Sequence, residues 1–259
     1  MPNRTGRKDM SLSGKHALVT GGGTGIGLAI AKALAAEGAQ VTITGRRLNV
    51  LEEAATDGLF PLAMDVADEA SVVDGVAAAV AARGPIQICV ANAGIAEGRA
   101  LHKTDMAFWR KMMSINIDGV FLTIRESLKS MTQTDWGRVM VISSIAGLRG
   151  LKGAPAYSTS KHAVNGMIKS LAADFATKPI TFNSICPAYV ETPIIDQNIE
   201  SIMARTGCTE EEARHMMVGV NPHGRLIKPE EVAHTALYLC SDMADSIRGQ
   251  MVQISGGEV

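Results

Sequence analysis

A tyrosine and a lysine four residues apart, with a serine upstream, are the residues of this chain best suited to do chemistry. The stretch reads Ala156-Tyr157-Ser158-Thr159-Ser160-Lys161. On a helix, Tyr157 and Lys161 share one face. An ammonium beside a phenol favours the phenolate. That draws the tyrosine down from its ordinary value of about 10, toward the range useful to a general acid/base. Ser144 lies thirteen residues before Tyr157, just past the apolar run Val139–Ile142. A hydroxyl at such a strand end can hold a substrate oxygen against the phenol. Taken alone, Tyr-x-x-x-Lys is better read as an ordinary amphipathic helix face with a solvated lysine, so the surrounding elements must decide.

The first of those elements is a short apolar strand, His16–Thr20, that runs into Gly21-Gly22-Gly23-Thr24-Gly25-Ile26-Gly27. Apolar residues then recur at helical spacing over Leu28–Glu37, up to Gly38 as a helix stop. Strand, glycine loop and helix together suit a dinucleotide: the backbone can approach a pyrophosphate, and the helix N-terminus supplies N–H donors. The spacing is G-x-x-x-G-x-G, which differs from the general G-x-G-x-x-G pattern. A second strand, Val41–Thr44, ends at Gly45-Arg46-Arg47. A carboxylate there would select the free 2′-hydroxyl of NAD, whereas arginine suits a 2′-phosphate. Arg46 and Arg47 therefore favour NADP(H), with NAD(H) left open because two arginines can also simply cap a surface loop.

Further strands are expected at Leu59–Met64, followed by Asp65-Val66, and at Ile86–Val90, followed by Ala91-Asn92-Ala93-Gly94. Two more follow at Val139–Ile142 and Ile180–Ile185, and the last at Met251–Ile254. Between them lie helices at Ala67–Ala82, with Asp68 as N-cap, at Phe108–Lys129, at Pro155–Lys178 and at Glu230–Cys240 behind Pro229. Asn116 and Gly119 are poor choices inside a long helix. They imply either a bent turn that frees backbone groups to hold water, or a close packing position. Residues 194–225 lack a strand pattern, and a capping box from Thr209 to Glu212 starts a helix there, as in a substrate lid. Strands alternating with helices throughout predict an α/β fold, a doubly wound parallel sheet with helices on both faces, in a single domain over 13–259.

Composition narrows the function classes. The 259 residues are 46% hydrophobic but only 4% aromatic, so the core is expected to be aliphatic. A net charge of −1 gives no electrostatic case for nucleic acid or an anionic membrane. Cys89, Cys186, Cys208 and Cys240 form no paired motif, which points to reduced thiols in a cytoplasmic protein. Residues 1–12 carry Arg4, Arg7 and Lys8 without an apolar core and read as a loose tail. His215 and His223 have no third partner at ligand spacing, so no catalytic metal is expected.

In order, Thr20-Gly21-x-x-x-Gly25-Ile26-Gly27, Asp65, Asn92-Ala93-Gly94, Asn116, Ser144, Tyr157, Lys161, Pro187 and Thr192 resemble the short-chain dehydrogenases/reductases over about residues 13–257. The resemblance implies a Rossmann-like fold and hydride transfer between a nicotinamide and a carbonyl or secondary alcohol. It makes Tyr157 the general acid/base and Lys161 the group that lowers its pKa and holds the nicotinamide ribose. Ser144 would orient the reacting oxygen, and Asn116 would hold a relay water. Gly21, Thr24, Gly25, Ile26 and Gly27 would face the pyrophosphate, Asp65 and Val66 the adenine, and Asn92 and Gly94 the adenosine-side loop. Pro187, Val190 and Thr192 would meet the nicotinamide carboxamide. Ala188 and Ala91 depart from the family pattern, as does Thr24, which is basic in many NADP-preferring members.

Residues 183–257 resemble both 3-oxoacyl reductases and 3-hydroxybutyrate dehydrogenases. The stretch Ile145-Ala146-Gly147-Leu148 and Ala96 are apolar where a small hydroxy acid would need polar anchors. The expected substrate is therefore a larger carbonyl, a 3-oxoacyl thioester or a cyclic ketone, with Arg149, Lys152 and Arg205 as candidate contacts for an anionic carrier. The alternatives are an NAD-dependent hydroxy-acid dehydrogenase of the 3-hydroxybutyrate type and a non-catalytic cofactor sensor. The resemblance also implies a homotetramer through helices at about 104–131 and 155–178, with Phe108, Trp109, Met112, Met113 and Met167 as apolar interface candidates.

Overall fold

The computed structural model describes residues 11–219 and 221–258. Residues 1–10 of the expected tail lie outside the described residues. Leu12, assigned to that tail, is buried, and its N–H donates to the Glu37 carbonyl at 2.8 Å, so this residue packs with the domain rather than with a loose tail.

Seven strands form one parallel sheet: β1 (His16–Thr20), β2 (Gln40–Gly45), β3 (Leu59–Ala63), β4 (Ile86–Ala91), β5 (Gly137–Ile142), β6 (Ile180–Pro187) and β7 (Met251–Ile254). Their spatial order is β3-β2-β1-β4-β5-β6-β7. Every strand found from the sequence is present, most of them longer by one or two residues where the ladder continues past the apolar run. Both faces of the sheet are covered, which is why strands such as β5 and β6 are buried along their whole length rather than at alternate positions. On one face, α1 (Gly25–Ala36) and α9 (Pro229–Cys240) pack Ile30, Leu34, Val232 and Ala236 against β1, β2 and β5. On the other, α3 (Glu69–Arg83), α5 (Gly119–Met131) and α6 (Pro155–Asp174) contribute Val72, Val76, Ile124, Val164 and Ile168. Each such aliphatic side chain contributes about 1.5–3 kcal/mol when fully buried.

Asp68 caps α3 by accepting from the Ala70 and Ser71 N–H groups, and Gly38 ends the first helical segment at φ +91°. Two helices escaped the sequence reading. One is α2 (Leu48–Ala54), a short helix with one buried side chain, Leu51. The other is α7 (Pro193–Thr206), which precedes α8 (Glu210–Val218) in the expected lid segment. The Thr209–Glu212 capping box opens α8 as read.

The long helix expected at Phe108–Lys129 is two helices, α4 (Met106–Met113) and α5, joined by a π-helical turn over Ser114–Asp118. The bent turn and the packing position are both present, at different residues. Asn116 lies in the wide turn, while a Cβ at Gly119 would meet Val66 at 2.9 Å, so Gly119 is the packing position. Phe108 and Met112 are buried against Ala156 within the chain's own core. They are therefore unavailable as interface residues, because the turn rotates α4 inward onto α6. Among the described residues, no helix is long and apolar enough to cross a membrane.

One strand residue makes stability pH-dependent. His16 is buried, with Nδ1 2.8 Å from the Gly84 carbonyl and Nε2 2.9 Å from the Thr42 hydroxyl. Nδ1–H donating to the carbonyl leaves Nε2 to accept from Thr42, which fixes a neutral ring. Burial lowers the His16 pKa below 6.5. The unfolded chain then binds the extra proton first, so folding stability falls as pH drops below about 6.5. Thermal unfolding at pH 7 and pH 5 should show a larger loss for the native chain than for His16→Gln; equal losses would place the acid sensitivity elsewhere.

Candidate active site

Strand order reverses between β1 and β4, and the crevice beyond their carboxyl ends is where an open α/β sheet binds ligands. The glycine loop fills that position. Gly21 and Gly25 have φ of +65° and +52°, a region that L side chains rarely adopt. A Cβ on Gly27 would lie 2.3 Å from the Gly21 carbonyl oxygen. Thr24 is the extended N-cap of α1 and makes no side-chain cap bond. The first amides of the helix are thus left for another acceptor. A bare backbone cradle in front of an uncapped helix N-terminus fits a dinucleotide pyrophosphate. Asn92 braces this cradle: its side-chain amide donates to the Thr20 and Gly21 carbonyls at 2.9 and 3.2 Å. The backbone N–H groups of Asn92 and Ala93 both donate to the Thr20 hydroxyl at 3.0 Å. Asn92 therefore acts on the shape of the loop.

Ser144, Tyr157 and Lys161 are brought together, as the sequence predicted. Ser144 follows β5 and caps a short 3-10 turn, Ile145–Gly147, its oxygen accepting from Ala146 N–H at 3.1 Å. Pro155 opens α6, which carries Tyr157 in its first turn and Lys161 one turn later. Ser144 and Tyr157 line the same cavity, and Ser144 favours the ionised form of the phenol. The Lys161 ammonium donates to the Ile142 carbonyl at 2.8 Å and lies 5.8 Å from the centroid of the Tyr157 ring.

One electrostatic expectation is corrected. Burial holds the Tyr157 phenol above its ordinary value, with only Ser144 opposing it. Burial also pushes the Lys161 ammonium down to about 8, and it donates to a backbone carbonyl. Desolvation outweighs the pair attraction assumed from the spacing. Ser144 favours the phenolate against that burial.

Asn116 is fully buried and does not face the cavity. Its oxygen accepts from Ile95 N–H, and its amide nitrogen lies within bonding distance of the Ile95 carbonyl, the Ser160 hydroxyl and the Met112 sulfur. The side chain is spent on protein partners, so any water held at this turn would be held by backbone. A Cβ on Gly94 would sit 3.2 Å from the Asn116 oxygen and 3.7 Å from the Lys161 nitrogen, so the Asn-Ala-Gly loop lies directly over the lysine.

A cavity of about 410 Å³ joins these groups. Gly21, Thr24, Gly25, Ile26, Asn92 and Gly94 line one end, and Ser144, Tyr157, Lys161, Pro187, Val190 and Thr192 line the centre. Thr192 crosses the glycine loop so closely that a Cβ on Gly25 would meet its methyl at 3.1 Å. Ala188 has an ordinary backbone conformation and donates to the Ile254 carbonyl at 2.9 Å, so the loop needs no glycine there. Arg46, Arg47, Asp65 and Val66 do not line this cavity. They stand at the carboxyl ends of β2 and β3 on the same sheet edge. Arg46 and Arg47 are exposed, and Arg47 is the N-cap of α2. Asp65 accepts from Ala67 N–H at 3.0 Å, and Val66 is buried.

Ile95, Ala96, Ile145, Leu151, Ile195 and Met217 give the cavity aliphatic walls, with Glu97, Lys152 and Tyr189 as polar members of the lining. Arg149 is paired with Glu258, Lys152 lines the rim, and the Arg205 side chain lies outside the described residues. The sequence reading missed Tyr189, Ile195, Ile202 and Met217 as cavity walls, because nothing local marks which face of a lid helix turns inward. Thr20 was counted in the glycine motif but given no role, and its hydroxyl proves to accept from Asn92 and Ala93 N–H.

Comparison with known proteins agrees with this arrangement. Residues 15–202 match the family model for short chain dehydrogenases. The chain is 33% identical over 255 residues to D-beta-hydroxybutyrate dehydrogenase of Cupriavidus necator, covering 96% of this chain and 99% of that protein. It is 34% identical over 256 residues to the 3-oxoacyl-[acyl-carrier-protein] reductase of Aquifex aeolicus, covering 96% and 99%. A crystal structure of a variant actinorhodin polyketide ketoreductase with NADPH superposes with a TM-score of 0.90 at 33% identity, covering 94% of this chain and 96% of that one. The chain belongs to the short-chain dehydrogenases/reductases and is an NAD(P)-dependent oxidoreductase acting on ketone or hydroxyl groups.

Proposed function

We propose that the protein is an NADP(H)-dependent oxidoreductase that interconverts a carbonyl and a secondary alcohol, with a 3-oxoacyl thioester or a cyclic ketone as substrate. The observation that carries this reading is one cavity lined by the glycine loop, by Ser144, Tyr157 and Lys161, and by aliphatic side chains. A bound nicotinamide cofactor supplies or accepts the hydride. Tyr157 gives its phenolic proton to the substrate oxygen during reduction and takes it back during oxidation. When substrate is bound, Ser144 turns its one O–H from the phenol to that oxygen, while a serine lone pair goes on accepting from Ala146 N–H. Lys161 has donors beyond the one given to Ile142, which suit the ribose hydroxyls. Gly21, Thr24, Gly25, Ile26 and Gly27 cradle the pyrophosphate; Pro187, Val190 and Thr192 meet the carboxamide. Asp65, Val66, Asn92 and Gly94 border the adenosine half. Asn116 supports Gly94 and Lys161, with relay water on the backbone of its π turn. The helices α7 and α8 form the substrate lid. The reading places a homotetramer in the cytoplasm.

The NADP preference rests on Arg46 and Arg47, exposed at the end of β2 with no described ion-pair partner and no carboxylate at the strand end. A charge-assisted bond to a 2′-phosphate contributes about 1.5–3 kcal/mol, roughly 10- to 100-fold in affinity. Nicotinamide oxidation with ethyl acetoacetate and cyclohexanone, and reduction with 3-hydroxybutyrate, should favour the ketones and NADPH. Replacing both arginines by alanine should raise the KM for NADPH by about tenfold or more and leave NADH nearly unchanged. NADH preferred by the native chain, together with turnover of 3-hydroxybutyrate alone, would establish the hydroxy-acid dehydrogenase reading instead. The apolar Ile145 and Ala96 in the cavity walls argue against that reading.

A further inference from the structure

The catalytic face of α6 does not stop at Lys161. Asn165 follows four residues later on the same side of the helix and is 5% exposed, buried beneath the loop that carries Ser144. An amide in this position is costly unless it bonds, and an aliphatic residue would fill the same space without that cost. Asn165 does bond. Its Nδ2 donates to the Gly147 carbonyl at 3.0 Å and lies 4.0 Å from the Cys186 sulfur, while its Oδ1 is buried without a partner. The polar group is thus retained although only half of it is satisfied.

What it bonds to gives the reason. Ile145–Gly147 is a single 3-10 turn, and a turn that short cannot satisfy its own ends. Ser144 closes the near end through Ala146 N–H at 3.1 Å, and Asn165 closes the far end at the Gly147 carbonyl. The fit at that end is tight. A Cβ on Gly147 would meet Asn165 Nδ2 at 2.7 Å, and the Lys161 carbonyl and Ser143 hydroxyl at 2.8 Å. Ser143 also reaches the Lys161 carbonyl at 3.4 Å. The serine turn is therefore fastened to the Tyr157–Lys161 helix by an amide on that same helix.

We propose that Asn165 is a positioning residue for the carbonyl chemistry: by fixing the far end of the Ile145–Gly147 turn, it keeps the Ser144 hydroxyl aligned on Tyr157. This rests on the function proposed above, because it acts through Ser144. Released from Asn165, the Gly147 carbonyl turns away, the Ala146 N–H shifts, and the serine proton loses its fixed direction. A misplacement of about 1 Å in such a site costs on the order of 100-fold in rate.

The test is a double-mutant cycle on ethyl acetoacetate and cyclohexanone reduction, using Asn165→Ala, Asn165→Val, Ser144→Ala and the two combined pairs. Asn165→Ala and Asn165→Val should both lower kcat by 10- to 100-fold, with the dissociation constant for NADPH unchanged within about twofold. In the Ser144→Ala background, either Asn165 substitution should have almost no further effect on kcat. The rising limb of kcat/KM for alcohol oxidation, which reports the substrate-free enzyme, should also move to higher pH in the single variants, since the influence of Ser144 that favours the phenolate is weakened. Full activity in Asn165→Val would overturn the proposal by reducing the residue to a space filler. Multiplicative losses with Ser144→Ala would overturn it as well, and so would Ala and Val variants that both fail to fold. If the native protein reduces neither ketone, the function proposed above fails. If it reduces them and the cycle is additive, only the role of Asn165 fails.

Discussion

Tyr157→Phe is expected to lower turnover by about 100- to 10,000-fold while leaving NADPH affinity within about twofold of the native value. Among the described cavity residues, the phenol is the hydroxyl that shares a helix face with Lys161 and a cavity with Ser144. Removing its oxygen deletes the proton donor without changing the ring, which packs beside Phe108, Met112 and Ala156. The glycine cradle and the helix N-terminus that fit the cofactor lie on α1, a different element, so binding should survive. The pH dependence has a definite sign. Burial raises the Tyr157 pKa, so the phenol of the cofactor-free protein is the protonated acid at neutral pH. Ketone reduction should persist across neutral pH, and alcohol oxidation should rise as pH climbs and the phenolate becomes accessible. Lys161, pushed down to about 8 by burial, loses its charge in the same upward scan, so oxidation should pass through a maximum rather than a plateau. Stopped-flow NADPH oxidation with cyclohexanone, alongside fluorescence titration of NADPH, checks both halves. A Tyr157→Phe protein that turns over at native rates would remove the proposed acid/base.

The parts of this fold legible in the sequence are those governed by local rules. Buried parallel strands are continuous apolar runs, so β1 and β7 could be placed to the residue. Caps at Asp68 and Thr209 and the proline at the head of α6 depend on neighbours within one turn and were equally visible. The helices that escaped, α2 and α7, owe their existence to what they cover. Leu51 of α2 would stand 3.1 Å from a Cβ on Gly23, and Ile195 and Ile199 of α7 pack on Ala213 and Met217 of α8. Such contacts join residues that no local periodicity connects.

The site divides the same way. The spacing of Tyr157 and Lys161 fixes a shared helix face, and that much is geometry of the chain. The electrostatics are not, because a pKa depends on burial and on which partner a group finds. The sequence pairs the lysine with the phenol, whereas the folded protein pairs it with the Ile142 carbonyl and sets the phenol in one cavity with Ser144. Asn116 shows a similar shift. Its position in an awkward helix was legible, but its four side-chain contacts reach Ile95 and Ser160, far away in sequence, as well as Met112 in the turn before. Asn165 was within reach of sequence reasoning, as the next polar residue on the face of Tyr157 and Lys161. Its partner, Gly147, could be named only once the serine turn had been placed against the helix.

Gly27→Ala is expected to destabilise the fold and weaken the cofactor site together. A Cβ there would lie 2.3 Å from the Gly21 carbonyl oxygen and 2.5 Å from Asn92 Nδ2, and the first of these atoms belongs to the backbone. No rotamer change can relieve that contact, so α1 must move away from β1. Overpacking of this kind costs about 1–3 kcal/mol. The movement also pulls the Gly21 carbonyl away from the Asn92 amide, which holds it at 3.2 Å, and carries off the helix N-terminus that faces the cradle. Affinity for NADPH should therefore fall by about tenfold or more, each tenfold corresponding to about 1.4 kcal/mol. Gly150→Ala is the matched control. Nothing lies within 4 Å of its Cβ position and its φ is not positive, so both quantities should stay near native values, with stability changed by no more than about 0.5 kcal/mol. Thermal melts and NADPH titrations on the two variants separate the cases. A Gly27→Ala protein with native melting temperature and native affinity would mean that α1 and the Gly21 carbonyl are not in contact as described. A variant that loses stability but binds NADPH normally would detach the cradle from the cofactor, and with it the reading of this crevice as the nucleotide site.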